Sequence, residues 1–233
     1  MTNLIPQKIK AVLFDMDGVL YDSMKHHAET WIEAFKKFDI DFPRKEAYLN
    51  EGSTGDFTIR KAIKQICNRE ATPEEIEGIY EEKTRLMHLR PKADKIPGMQ
   101  TLMNKIREAG KKIVVVTGSK QPILLERLQK DFGVHPDDVV SGYDVTHGKP
   151  HPEPYLMGLK KADIPVEETI VIENAPLGVE SAIDAGIFTI AINTGPLEKQ
   201  VLFDAGASEV FDTAEEIDEF LEKISVVSDK KSV

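Results

Sequence analysis

The chain has 233 residues, of which 41% are hydrophobic and 30% charged, with a formal net charge of -10. That length holds one large α/β domain, or one domain carrying a smaller insert, and the acidic balance argues against a surface built for nucleic acid or for an anionic membrane. The single cysteine, Cys67, excludes an intramolecular disulfide and fits a reducing compartment.

The first seven residues lack the apolar core of a signal peptide, and no stretch is apolar enough over a membrane-spanning length. The expected location is therefore the cytoplasm. An anionic substrate is compatible with the net charge, because screening confines each field to about 8–10 Å and a few lysines with a metal can dominate one site.

Ala11 to Phe14 form a continuous apolar run that suits a strand buried on both faces of a parallel sheet. It ends at Asp15, with Asp17 two residues on and Gly18 permitting a tight turn. Ligands of α/β sheets bind at the carboxyl ends of strands, so both acids are expected at the functional edge. A divalent cation with oxygen ligands would hold two such carboxylates together and would invite a phosphate.

Residues 23 to 94 read as helical. Ser23 to Phe38 carries Trp31, Phe35 and Phe38 at helical spacing, Gly55 to Cys67 follows, and Thr72-Pro73-Glu74-Glu75 opens a third helix running to about Arg90. Phe57 is read as a core residue of this insert, and Lys83, Arg85 and His88 as a solvated face. From Pro97 strands and helices alternate. Strands are expected at Ile113 to Val116, Asp138 to Ser141, Thr169 to Ile172, Ile187 to Ile192 and Glu209 to Phe211. Helices are expected from about Met99 to Gly110, Gln121 to Lys130, Pro152 to Ala162, Ala175 to Ala185, and Thr213 to about Ile224, followed by a frayed tail.

This order implies a Rossmann-like, mainly parallel sheet with helices on both faces, formed by residues 1–22 and 95–233, with an α-helical cap domain at 23–94. The two crossings, near Tyr21 to Met24 and Arg90 to Ile96, are the expected hinges.

Three further strand ends present groups that a phosphate would use. Thr117 offers a hydroxyl, Gly118 a backbone N–H, and Ser119 with the following helix start adds donors. Lys149, between Gly148 and Pro150, supplies a point charge, while Glu173 and Asn174 offer oxygens to a hard cation. Each is ordinary alone; their succession after consecutive strands points to one site.

Asp15-Met16-Asp17-Gly18-Val19, Val116-Thr117-Gly118-Ser119, Lys149-Pro150 and Glu173-Asn174-Ala175-Pro176-Leu177-Gly178-Val179 resemble the four motifs of the haloacid dehalogenase superfamily, in order and across nearly the whole chain. The insert is similar to the cap of its β-phosphoglucomutase-like subfamily. The resemblance implies a phosphohydrolase in which Asp15 is the nucleophile, giving an aspartyl phosphate, and Asp17 the general acid and then base. It implies Mg²⁺ held by the Asp15 carboxylate, the Asp17 backbone carbonyl and the Asn174 side chain. Thr117, Gly118, Ser119 and Lys149 would bind the phosphoryl group, and Glu173 would orient Lys149 or a metal-bound water.

Two departures bear on the substrate. Asn174 stands where the family often has Asp, a neutral and weaker ligand, which implies weaker Mg²⁺ binding unless another carboxylate contributes. In the cap, mutase members carry a basic residue, a Gly and then an Arg for a distal phosphate; here Asn50-Glu51-Gly52-Ser53-Thr54-Gly55 has no Arg, the nearest being Arg60. Glu51 disfavours a second anionic group unless a metal lies between. Inorganic pyrophosphate is therefore the favoured substrate expected, with a β-phosphoglucomutase or a sugar-phosphate phosphatase as the alternative. His27 and Trp31 are candidates for lining the cap side of the site. A small anionic phosphorylated substrate, a monomer and no nucleic-acid or membrane partner complete the expectation.

Overall fold

The computed structural model describes residues 5–120 and 123–230. Six parallel strands, β1 (Ala11–Phe14), β2 (Lys112–Val116), β3 (Val139–Val140), β4 (Thr169–Glu173), β5 (Phe188–Ile192) and β6 (Glu209–Phe211), form one sheet in the order β3-β2-β1-β4-β5-β6. Its neighbours in the chain are helices α1 (Met24–Lys36), α2 (Arg44–Leu49), α3 (Gly55–Cys67), α4 (Pro73–Leu89), α5 (Met99–Glu108), α6 (Ile123–Phe132), α7 (Glu153–Ala162), α8 (Pro176–Asp184), α9 (Lys199–Asp204) and α10 (Ala214–Lys230). The expected α/β, Rossmann-like architecture is what the chain adopts.

Strand β1 explains the layering. Its side chains alternate across the pleat, so Val12 and Phe14 join Met99, Leu102, Met103, Ile106, Leu128 and Ile217 from α5, α6 and α10 on one face. Ala11 and Leu13 meet Tyr155, Ala162 and Ala182 from α7 and α8 on the other. All four β1 side chains are fully buried, a burial worth about 1.5–3 kcal/mol for each of the larger ones. This is why β1 reads as an unbroken apolar run.

From β1 the chain order runs outward through β2 and β3 on one side and through β4, β5 and β6 on the other, so the topological switch point, where a crevice opens, lies between β1 and β4 at the strand ends after Phe14 and Ile172. The helices of residues 24–89 bury their own apolar cluster, with Phe35 and Phe42 rings stacked 4.5 Å apart. The two crossings into this insert are bonded to one another: Asp22 N donates to Asp94 O at 2.8 Å, and Ile96 N to Leu20 O at 2.9 Å.

Most elements lie where the sequence puts them. Two helices went unread, α2 and α9, each of six residues and too short to display a period. Strand β3 is two residues long, within the four expected. Phe57, expected in the insert's core, is instead 39% exposed. Helix α10 continues to Lys230 past the expected end at Ile224. The expected first two residues of the helix at 121–130 fall outside the described residues.

Candidate active site

Asp15 leaves β1 with its N–H still bonded to Ile172 O at 3.0 Å, so its carboxylate is delivered into the crevice by the last rung of the ladder. There it accepts from Lys149 Nζ at 2.5 Å, and the same ammonium donates to Glu173 Oε1 at 2.6 Å. All three side chains are buried. Burial favours the neutral amine of Lys149, but the two carboxylates outweigh it and raise its pKa, keeping it a cation. Burial pushes Asp15 well above the usual carboxylate range against the pull of Lys149, with Glu173 and Asp17 adding to the rise.

Glu173 closes the β4 edge of the site. Its Oε1 accepts from Lys149 and, at 2.9 Å, from Tyr155 Oη, while Oε2 accepts from the N–H groups of Asn174 at 2.8 Å and Ala175 at 3.0 Å. All four lone-pair positions of this carboxylate are taken by protein donors. Of the two β4-end groups expected to hold a metal, Glu173 therefore has no oxygen free in this arrangement. Asn174 has one: its Oδ1 is buried without any hydrogen-bond partner. A buried unpaired amide oxygen at the end of β4 and a buried carboxylate at the end of the adjoining β1 are the kinds of donor a hard cation takes, so the residues fit a divalent ion at Asp15 and Asn174.

Gly18 makes room for the Asn174 amide group. Its φ is +85°, and a Cβ there would stand 2.0 Å from Asn174 Nδ2. Its carbonyl accepts from Thr194 Oγ1 at 2.6 Å, which ties the turn after β1 to the loop after β5.

Asp17 faces the insert. Its Oδ1 accepts from Ser23 Oγ at 2.6 Å and lies 3.5 Å from His27 Nε2. Burial opposes ionisation, but His27, the Ser23 bond and Lys83 outweigh it and bring the carboxyl down to about 2. A carboxyl held lower in the fold than in the unfolded chain adds stability above the unfolded value, 3.8, and loses it as pH falls toward 2. Wild type is thus expected to exceed Asp17→Asn in unfolding free energy by about 2 kcal/mol near pH 6, a margin that closes between pH 4 and pH 2. Urea titrations across that range check it.

At the end of β2, Thr117 is buried with its Oγ1 accepting from Ser119 N at 3.1 Å, while Gly118 is exposed at the mouth. The loop carrying Lys149 is pinned by Ser181 Oγ, which donates to His151 O at 2.7 Å. The Asn50 to Gly55 loop of the insert sits directly on it. Gly52, at φ +79°, passes so close that a Cβ would meet the Lys149 side chain at 2.8 Å.

This docking brings Glu51 inside. Burial raises its pKa, opposed by His27, increased by Asp17, and opposed again by Lys83 and Lys149, so Glu51 shares one field with both sides of the site. Lys83 is the cap-side group that sequence reasoning misplaced. Burial lowers its pKa against Glu51 and Asp17, and its Nζ lies 5.3 Å from the centroid of the Trp31 ring. Arg85 does pair with Glu82 on an exposed face, as expected. His27 and Trp31, one helical turn apart, divide: His27 reaches Asp17, whereas Trp31 packs against Phe35 and Phe42. Arg60 points away, 54% exposed and bonded to Asp56.

Comparison with known proteins adds the ancestry. A model of the haloacid dehalogenase-like hydrolase family matches residues 12–192. Hexitol phosphatase A of Escherichia coli K12 is 28% identical over 190 residues, covering 80% of this chain and 84% of that one. The phosphorylated carbohydrates phosphatase of Thermotoga maritima is 29% identical, over 85% of this chain and 92% of its own. A solved structure from Bacteroides vulgatus, described as a candidate beta-phosphoglucomutase, is 45% identical with a TM-score of 0.87, covering 94% of this chain and 90% of that one. The matched span begins inside β1 and ends with β5, enclosing every strand end that contributes to the crevice. The chain belongs to the haloacid dehalogenase-like hydrolase family.

Proposed function

We propose that this chain is a Mg²⁺-dependent phosphatase that carries the phosphoryl group on Asp15. The observation that supports it most is the buried Asp15–Lys149–Glu173 triad beside the unpartnered Asn174 oxygen. Asp15 Oδ attacks phosphorus as the bond to the leaving oxygen breaks, and Asp17 delivers a proton to that oxygen. Water then attacks the phosphorus of the aspartyl phosphate, giving its proton to Asp17 and freeing Asp15. The low pKa keeps Asp17 ionised in the free site, and an arriving phosphate dianion raises it toward what proton transfer in both steps needs. Lys149, held by Glu173, offsets the charge on the transferring oxygens, helped by Thr117 and the Gly118 and Ser119 amides. Mg²⁺, bound by Asp15, the Asp17 carbonyl and Asn174, supplies Lewis-acid polarisation of the phosphoryl and favours ionised Asp15. Residues 23–94 act as a cap that excludes water, hinged at the paired crossings. A cytoplasmic location and a monomeric state belong to the same proposal.

Gly18→Ala tests the metal part. It is expected to displace the Asn174 amide and weaken the Mg²⁺ dependence of activity by about 10–100-fold, read as the Mg²⁺ concentration at half-maximal rate.

For the substrate, the named relatives favour a phosphorylated sugar or polyol over the pyrophosphate expected from the sequence, and the reading is corrected accordingly. A mutase needs a cation for the far phosphate; Arg60 is turned away, which favours hydrolysis over isomerisation. Pyrophosphate remains as a second reading on one observation, the half-buried Glu51 in the field of Asp17 and Lys83, which narrows the site and favours a small, metal-bridged substrate. Phosphate release from hexitol phosphate, β-glucose 1-phosphate and pyrophosphate separates them. The carbohydrate phosphates are expected to have kcat/KM at least about tenfold above pyrophosphate, with no glucose 6-phosphate formed. The reverse order, together with a loss in Glu51→Ala confined to pyrophosphate, overturns the first reading in favour of the second.

A further inference from the structure

We propose that His147, His151 and Glu153 form a second metal site, separate from the Asp15 crevice, for a borderline divalent transition ion of the Zn²⁺ type. Among the described residues this is the group whose imidazole and carboxylate atoms converge: one ligand atom from each lies within 4.8 Å of the other two. His147 Nδ1 is 2.9 Å from Glu153 Oε2, and His151 Nδ1 is 4.0 Å from the same oxygen. Ligands at about 2.0–2.2 Å from a tetrahedral ion stand roughly 3.3–3.6 Å apart, so these distances bracket the required set. The rings face each other with centroids 4.6 Å apart.

The carboxylate is already aimed. Thr146 N donates to Glu153 Oε1 at 2.8 Å and His147 N to Oε2 at 2.9 Å. Such outer bonds fix a ligand before the ion arrives. The imidazole rings are about half exposed or more, and His151 Nδ1 accepts from Glu153 N at 3.1 Å, a bond that the ring gives up when it turns to the ion. Coordination through Nδ1 takes the His147 ring in its Nε2–H tautomer, so the His147 Nδ1–Glu153 Oε2 contact is exchanged for a bond from each atom to the ion. Two nitrogens and one oxygen select a borderline transition ion over Mg²⁺ or Ca²⁺, and the open position takes water. The ligands His147 and His151 flank Lys149 two residues away on either side, so the ion would staple the loop that carries the buried lysine.

Equilibrium dialysis of the full chain against Zn²⁺, with Mg²⁺ saturating, tests the site. One Zn²⁺ per chain is expected in wild type, in His135→Ala and in Asn174→Ala, and at least tenfold weaker binding in His147→Ala and in His151→Ala. Both of these variants are expected to keep wild-type Mg²⁺-dependent activity, which reports that they are folded. Zn²⁺ binding that survives both histidine replacements, or that disappears in Asn174→Ala, would put the ion elsewhere and overturn the proposal, as would the absence of binding in wild type.

Discussion

Asp15→Asn is expected to lower kcat by about 10⁴-fold or more on any substrate the enzyme accepts, while leaving the fold intact. The amide is nearly the same size as the carboxylate and can still accept from Lys149 Nζ, so the packing around β1 has no reason to change. What it lacks is the anionic oxygen that bonds to phosphorus. A residual rate near wild type, with cooperative unfolding unchanged, would mean that water attacks the substrate directly and that Asp15 only organises charge.

Lys149→Met is expected to abolish activity and also to cost about 3–5 kcal/mol of stability near neutral pH, because it strands Asp15 and Glu173 together in a buried site without their shared cation. Two carboxylates 8% and 1% exposed cannot both stay ionised there. Their folded-state pKa values then rise above the unfolded ones, so this variant gains stability as pH falls through that raised range. Wild type gains less over that range, since Lys149 opposes the rise at Asp15. Denaturant titrations at several pH values check both the size and the direction; equal stabilities at pH 7 would show that the triad contributes only to chemistry.

What the sequence made legible, and what it did not, follows from range. Ala11 to Phe14, Ile113 to Val116 and Thr169 to Ile172 are apolar on both faces because helices cover both faces, and that leaves an unbroken apolar run anyone can read. Asp15, Thr117, Lys149 and Asn174 are legible as strand-end polar groups for the same reason: each follows such a run or sits in the loop after it. Glu173 was legible as an acid but not as a saturated one, since its partners Lys149 and Tyr155 lie 24 and 18 residues away. Lys83 was misread because its neighbours Arg85 and His88 make a polar stretch, and nothing local says which side of α4 is pressed toward Asp17. His27 and Trp31 share a helical face in the pattern, yet one reaches out of the insert and the other packs within it. The His147, His151 and Glu153 cluster carries no periodic signal at all; a turn in the loop and the start of α7 bring it together.

The most direct test of phosphoryl transfer through Asp15 is acid quenching of the enzyme during turnover, followed by mass analysis of the peptide that contains residues 15 and 17. A phosphoryl adduct on Asp15 is expected in wild type while phosphate is being released, and none in Asp15→Asn. An unmodified peptide throughout steady turnover, in an enzyme quenched before, during and after the first cycle, would contradict it.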